Sequence, residues 1–196
     1  MNCHGRRFVS LILLFLFSAC GPSHPGWKSL PVAIYADSSI TQSSQNLSDL
    51  KDAFAFWEEK AGKQVFDFKG TWQGGTPYTG DPTKPDSIMG NVVFFQNPWP
   101  YPQTYVGMTT VQSGNDGPQA AMVMINSNTQ FCNGDCLFDN NRVSSRKTFA
   151  HELGHFIGLQ HNPDPDDLMY PDAQPGGTLN EVKIDQASLD QLVTGN

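Results

Sequence analysis

The chain has 196 residues, 38% of them hydrophobic and 16% charged, with 18 glycines and 14 prolines. That length suits one medium-sized domain, and the composition excludes a coiled coil or a disordered tail in favour of a loop-rich α+β domain. A formal net charge of −7 excludes a surface built to bind nucleic acid or anionic lipid headgroups.

The first twenty residues read as an export signal. Arg6 and Arg7 precede the apolar run FVSLILLFLF, Phe8 to Phe17, and the small residues Ser18 and Ala19 follow. A basic start, about ten apolar residues and a small-residue end describe a signal peptide over residues 1–19, whereas a transmembrane helix needs about 20 apolar residues. FSAC, Phe17 to Cys20, resembles a bacterial lipobox, which implies lipidation of Cys20 as the new N-terminus. The alternative is an ordinary signal peptide whose cysteine carries no lipid. Either way the chain is exported, and with the lipid it becomes a periplasmic or cell-surface lipoprotein of a bacterium. Residues 1–19 take away two arginines and no acid, leaving 10 basic against 19 acidic residues and a formal charge of −9. Membrane attachment is therefore expected through Cys20 alone.

Residues 20–29 follow as a tether. GPSHPGWKS, Gly21 to Ser29, has no apolar period, and His24 there reads as solvated. The folded domain is expected over residues 30–196. LPVAIYAD, Leu30 to Asp37, alternates like a first strand, and the polar run to Asn46 reads as a loop. Ser48 is placed to cap a helix with Leu50, Phe54 and Trp57 on one face, which Gly62 ends. QVFDF, Gln64 to Phe68, predicts a second strand, and the turn-rich stretch that follows predicts an exposed loop. NVVFFQ (Asn91 to Gln96), YVGMTTVQ (Tyr105 to Gln112) and AAMVMINSN (Ala120 to Asn128) predict three more strands. Ser144 or Ser145 caps a histidine-bearing helix that Gly158 stops. A last helix fits KIDQASLDQLV, Lys183 to Val193.

Two cysteines remain inside the domain, Cys132 and Cys136 of CNGDC. In an oxidising compartment they are expected to pair, because Asn133, Gly134 and Asp135 form a strong turn sequence. So short a loop gains roughly 2 kcal/mol at best on the chain-entropy estimate. A redox pair and a metal site are the alternatives.

The densest chemistry lies in HELGHFIGLQH, His151 to His161. Positions four apart share a helix face, so His151 and His155 can present two imidazoles to one ion. Glu152 lies one residue further round, able to reach a water on that ion without ligating it. Gly158 lets the chain leave the helix, because glycine tolerates positive φ, and His161 can then return to the same ion. A catalytic zinc ion wants three protein ligands and one open position. The bland alternative is a surface helix with solvated histidines.

The stretch His151–His161 resembles the zinc signature of the metzincin metallopeptidases. Downstream, DDLMYP, Asp166 to Pro171, resembles the Met-turn of the matrixin branch, with Met169 eight residues after His161 and Pro165 four after it. The resemblance is strongest over Phe149–Pro171 and looser from Leu30 to Asn128. It implies a zincin-like α+β fold with a twisted, mostly parallel sheet, an active-site helix and a C-terminal helix. It also implies one catalytic zinc held by His151, His155 and His161, with Met169 as a hydrophobic floor beneath it. Glu152 is then the general base of peptide-bond hydrolysis, on a peptide or protein substrate. Ala120–Asn128 resembles the edge strand that aligns substrate. The pocket just past the cleaved bond would be walled by His151, its neighbours and Asp172–Leu179.

Some family features have no counterpart. Pro171 stands where relatives of other branches place a zinc-approaching tyrosine. No PRCG-type cysteine switch occurs, and only His4 and His24 lie outside the motif, too few for a second, structural zinc. Calcium could bind among Asn126, Asp135, Asp139 and Asn140, although those residues suit ordinary loops equally. A monomer is expected. The competing function is an inactive zinc-binding surface lipoprotein. Against it stands Glu152, a base that zinc binding alone does not require.

Overall fold

The computed structural model describes residues 24–77, 90–137, 139 and 141–194. The expected signal peptide, Cys20 and Asn140 lie outside them. A five-stranded sheet forms from β1 (Val32–Ala36), β2 (Phe66–Thr71), β3 (Val92–Gln96), β4 (Gly107–Gly114) and β5 (Gly117–Asn126). Its spatial order is β2-β1-β3-β5-β4. All neighbouring pairs are parallel except β4 with β5, which are antiparallel. The mostly parallel α+β expectation therefore holds.

The sequence explains the centre of that sheet. β3 reads VVFFQ, an apolar run suited to burial on both faces. Val93 joins the core between sheet and helices, whereas Val92 and Phe94 join a second cluster with Met122, Met124 and Trp99 on the opposite face.

The edge differs from expectation. β5, over the predicted edge strand Ala120–Asn128, lies inside the sheet between β3 and β4. β4 is the edge instead. β5 carries the buried apolar run AMVMI, whereas β4 (GMTTVQSG) is mixed and partly exposed, and its antiparallel return alongside β5 leaves it outermost.

Helices pack on one side. α1 (Ser38–Thr41) occupies part of the predicted polar loop, where Asp37 caps it and Ile40 is fully buried. α2 (Ser44–Ala61) starts earlier than Ser48 would allow, because Ser43 accepts a hydrogen bond from Asn46 N at 3.2 Å. Its end at Gly62 is as expected, with φ of 64°. Two short strands, β6 (Phe131–Cys132) and β7 (Val143–Ser144), lead into α3 (Ser145–Ile157). The Cys132–Cys136 disulfide is present, with Cα atoms 5.7 Å apart. α4 (Gln186–Thr194) closes the chain. It begins after Lys183 because Lys183 main-chain atoms pair instead with Asp166 O and Leu168 N, both at 2.9 Å. Among the described residues no helix is long and apolar enough to cross a membrane.

The predicted tether is corrected from His24 onward. Trp27 is 8% exposed and His24 7%, so neither belongs to a solvated linker. Trp27 stacks on Phe156 with centroids 5.0 Å apart, and its Nε1 donates to Phe156 O at 2.7 Å. His24 Nε2 lies 3.1 Å from His155 O, so the ring nitrogen donates there. Both side chains thereby satisfy carbonyls near the C-terminal end of α3, which a helix leaves unpaired. Trp27→Ala should cost about 3–5 kcal/mol, the usual loss for a buried aromatic, read by urea unfolding. A loss below about 1 kcal/mol, typical of a surface change, would contradict this docking.

Candidate metal centre and active site

Helix α3 is built to be held firmly. Ser144 Oγ accepts from Lys147 N at 3.2 Å, which caps the start. Phe149, Ala150, Leu153 and Phe156 are buried in the core, and Trp57 of α2 donates from Nε1 to Ala150 O at 2.8 Å. At the other end Gly158 takes φ of 114°, with its N–H directed at Gly154 O and His155 O. That left-handed turn redirects the chain and brings His161 back toward the helix.

Three imidazoles meet as a result. The candidate ligand nitrogens of His151, His155 and His161 all lie within 4.8 Å of one another. His151 Nδ1 is 2.7 Å from Leu168 O, and His155 Nδ1 is 2.8 Å from Leu159 O. A carbonyl only accepts, so each Nδ1 carries the proton and each Nε2 keeps its lone pair. His155 Nε2 and His161 Nε2 stand 3.1 Å apart. Two nitrogens at ~2.05 Å on a tetrahedral zinc would be separated by ~3.3 Å, so the donor set fits that ion. Burial also keeps these rings neutral, as ligation requires. It lowers His151 to about 4, carries His155 well below its ordinary value, and lowers His161 against the opposing field of Asp172.

Glu152 sits beside them, 4% exposed. Burial raises its carboxyl to about 8, with the hydrogen bond from Thr109 pulling the other way. A cation on the neighbouring imidazoles would draw that value down, because an opposite charge favours the carboxylate. Thr109 Oγ1 lies 2.8 Å from Glu152 Oε2 and 2.9 Å from Glu152 O. One hydroxyl hydrogen serves one of the two at a time. Gly107, two residues earlier on the same face of β4, leaves room for the carboxylate. A Cβ there would stand 2.5 Å from Glu152 Oε1.

Met169 is 3% exposed and lies beneath the helix. A Cβ on Gly154 would run into its Sδ and into Trp57, so the glycine inside the histidine motif makes room for the methionine. The turn that carries it also reaches the ligand loop. Asn162 N donates to Met169 O at 2.9 Å, and Asp167 Oδ1 accepts from Met169 N at 2.7 Å.

A cavity of about 740 Å³ opens at this place, lined by the three histidines, Glu152, residues 104–109 and residues 170–174. The cysteines lie elsewhere, at the start of α3. Of the residues named for calcium, Asn126 donates to Tyr105 O and accepts from Asn128 N, Asp135 pairs with Arg146 and accepts from Leu179 N, and Asp139 pairs with Arg142.

Among known families, the matrixin family matches residues 28–192. The chain is a matrixin. The matrixins are zinc metalloendopeptidases, so the family implies zinc at a site whose three imidazoles could hold it.

The histidine motif was visible as a linear pattern. Gly107, Thr109 and the docked His24 and Trp27 were not, because each gains its role from a distant segment. Gly107→Ala should lower kcat/KM for peptide cleavage by ~100-fold by displacing Glu152, in line with misplacements of about 1 Å. Gly107 does not have positive φ, so alanine strains no backbone, and zinc content should stay unchanged. Activity within twofold of the native chain would contradict this role.

Proposed function

We propose that this matrixin is an exported endopeptidase, anchored by a lipid on Cys20, that hydrolyses peptide bonds with Glu152 as general base. The proposed ligands are His151, His155 and His161. The observation that carries this reading is the buried Glu152 carboxylate, held by Thr109 beside three imidazoles whose candidate ligand nitrogens converge. A retired metal-binding protein has no need of such a carboxylate.

Zinc, when bound, supplies a Lewis acid that acidifies water and polarises a peptide carbonyl. Glu152 accepts a proton from the attacking water and later passes it to the departing amine. Thr109 holds Oε2 during that exchange and keeps the carboxylate aimed. β4 is an edge strand beside the cavity, so an extended peptide can pair with its main chain by strand addition. The walls of the cleft are formed by β4, α3 and the segment after Met169. Tyr170 lines the cavity as well, while Pro171 follows it at the place where other branches put a tyrosine.

The test uses the zinc-loaded chain from Gly21 onward beside its Glu152→Ala variant, each incubated with an unfolded protein mixture. Cleavage by the native chain alone, at equal zinc content, is the expected outcome. Equal cleavage by both would remove Glu152 from the mechanism. Cleavage by neither would favour the inactive zinc-binding protein.

A further inference from the structure

The cavity wall carries one lysine that this mechanism does not use. Lys147 precedes His151 by four residues, as His151 precedes His155, so the three form a stripe along one face of α3. At 1.5 Å per residue, Lys147 lies ~6 Å along the axis from His151, about the reach of one substrate side chain. It lines the cavity together with Val143, Thr148, Gln174 and Val182, and is the one lysine or arginine among the described lining residues.

The surroundings leave that ammonium short of partners. Lys147 Nζ donates to Gly176 O at 2.9 Å and to Gln174 O at 3.3 Å. Both acceptors are neutral. An ammonium carries three N–H donors, and among the described residues the third has no acceptor. Burial pushes Lys147 below the usual lysine range, while Asp135 and Glu181 act against it from further away. Asp135 is already paired with Arg146 Nη1 at 3.1 Å, and Glu181 accepts from Thr178 N at 3.3 Å.

Two of the three aspartates among the described lining residues are also engaged. Asp166 accepts from Lys183 Nζ at 2.8 Å, and Asp167 accepts from Met169 N and Asn162 Nδ2. Asp172 acts on His161.

We propose that Lys147 makes this part of the cleft a subsite for an acidic side chain, so that the enzyme prefers Asp or Glu directly after the cleaved bond. The inference rests on the peptidase reading above and names the substrate class for it. A carboxylate entering between Val143 and Val182 takes the third N–H of Lys147 as a charge-assisted hydrogen bond. An apolar side chain leaves that donor desolvated and unpaired, which is unfavourable. The two carbonyl contacts fix the ammonium in place, so little side-chain freedom remains to be lost when the ligand arrives.

Binding is measured by calorimetry on the zinc-loaded chain from Gly21 onward, with two peptide hydroxamates. They differ only in the side chain next to the metal-binding group, glutamate-like in one and leucine-like in the other. The native chain should bind the acidic probe ~10-fold more tightly or better, as expected for a hydrogen bond between charged partners. Lys147→Met should remove the preference, and Lys147→Arg should keep it, with melting curves showing that each variant is folded. Equal binding, preference for the leucine-like probe, or an unchanged preference in Lys147→Met would overturn the subsite while leaving the peptidase reading intact. Binding of neither probe would overturn both. The native chain's own preference decides the point if Lys147→Met does not fold.

Discussion

The site depends on how helix α3 ends. A helix can place two imidazoles on one face, but a third ligand from the same helix would continue the stripe away from the ion. Gly158 removes that conflict by turning the chain left-handed, at φ of 114°, so that His161 faces His155 across 3.1 Å. Any residue with a side chain would be strained there. It would also press on the N-terminal segment, because a Cβ at Gly158 would stand 3.0 Å from His24 O. One glycine thus serves both the metal centre and the packing behind it.

Support converges on the same helix from four directions. Trp57 of α2 takes the Ala150 carbonyl, Trp27 takes that of Phe156 and His24 that of His155. From below, Met169 fits against Gly154, and the turn around it offers Leu168 O to His151. From the sheet edge, Thr109 and Gly107 set the position of Glu152. These contacts restrict the rotamers of the three histidines and Glu152 before any substrate arrives, which is how a preorganised site limits the cost of reaching reactive geometry. The buried Asp49 ties the disulfide loop into this framework, accepting from Gly134 N and Ser145 Oγ and pairing with Arg146. The start of α3 is fixed as firmly as its end.

What could be read in the sequence was local. The spacing of His151, His155 and Gly158 reports helix periodicity and its interruption, so ligand candidates and the helix stop were legible. β3 was legible because an unbroken apolar run has few other uses. The edge strand was misplaced although AMVMI in β5 is an apolar run of the same kind and β4 is mixed, because strand order is settled by pairing between segments rather than within one. The N-terminal segment misled for a related reason. HPGW has the composition of a turn, and only Phe156, far along the chain, makes Trp27 a core residue. Ser43 and Ser48 were both acceptable caps by type, and the backbone that reached Asn46 first decided between them. Lys147 could be seen as a helix residue, but its place on a cavity wall requires the fold of residues 174–176.

In the proposed function, three histidine nitrogens from α3 and the turn after it hold one zinc ion with a position left open. X-ray absorption at the zinc edge, on the chain loaded with one equivalent of metal, tests it most directly. The expected spectrum has three imidazole nitrogens and one oxygen ligand at ~2.0–2.1 Å, with one imidazole lost in His161→Ala. Four protein ligands, any sulfur at ~2.3 Å, or an unchanged spectrum in His161→Ala would contradict it.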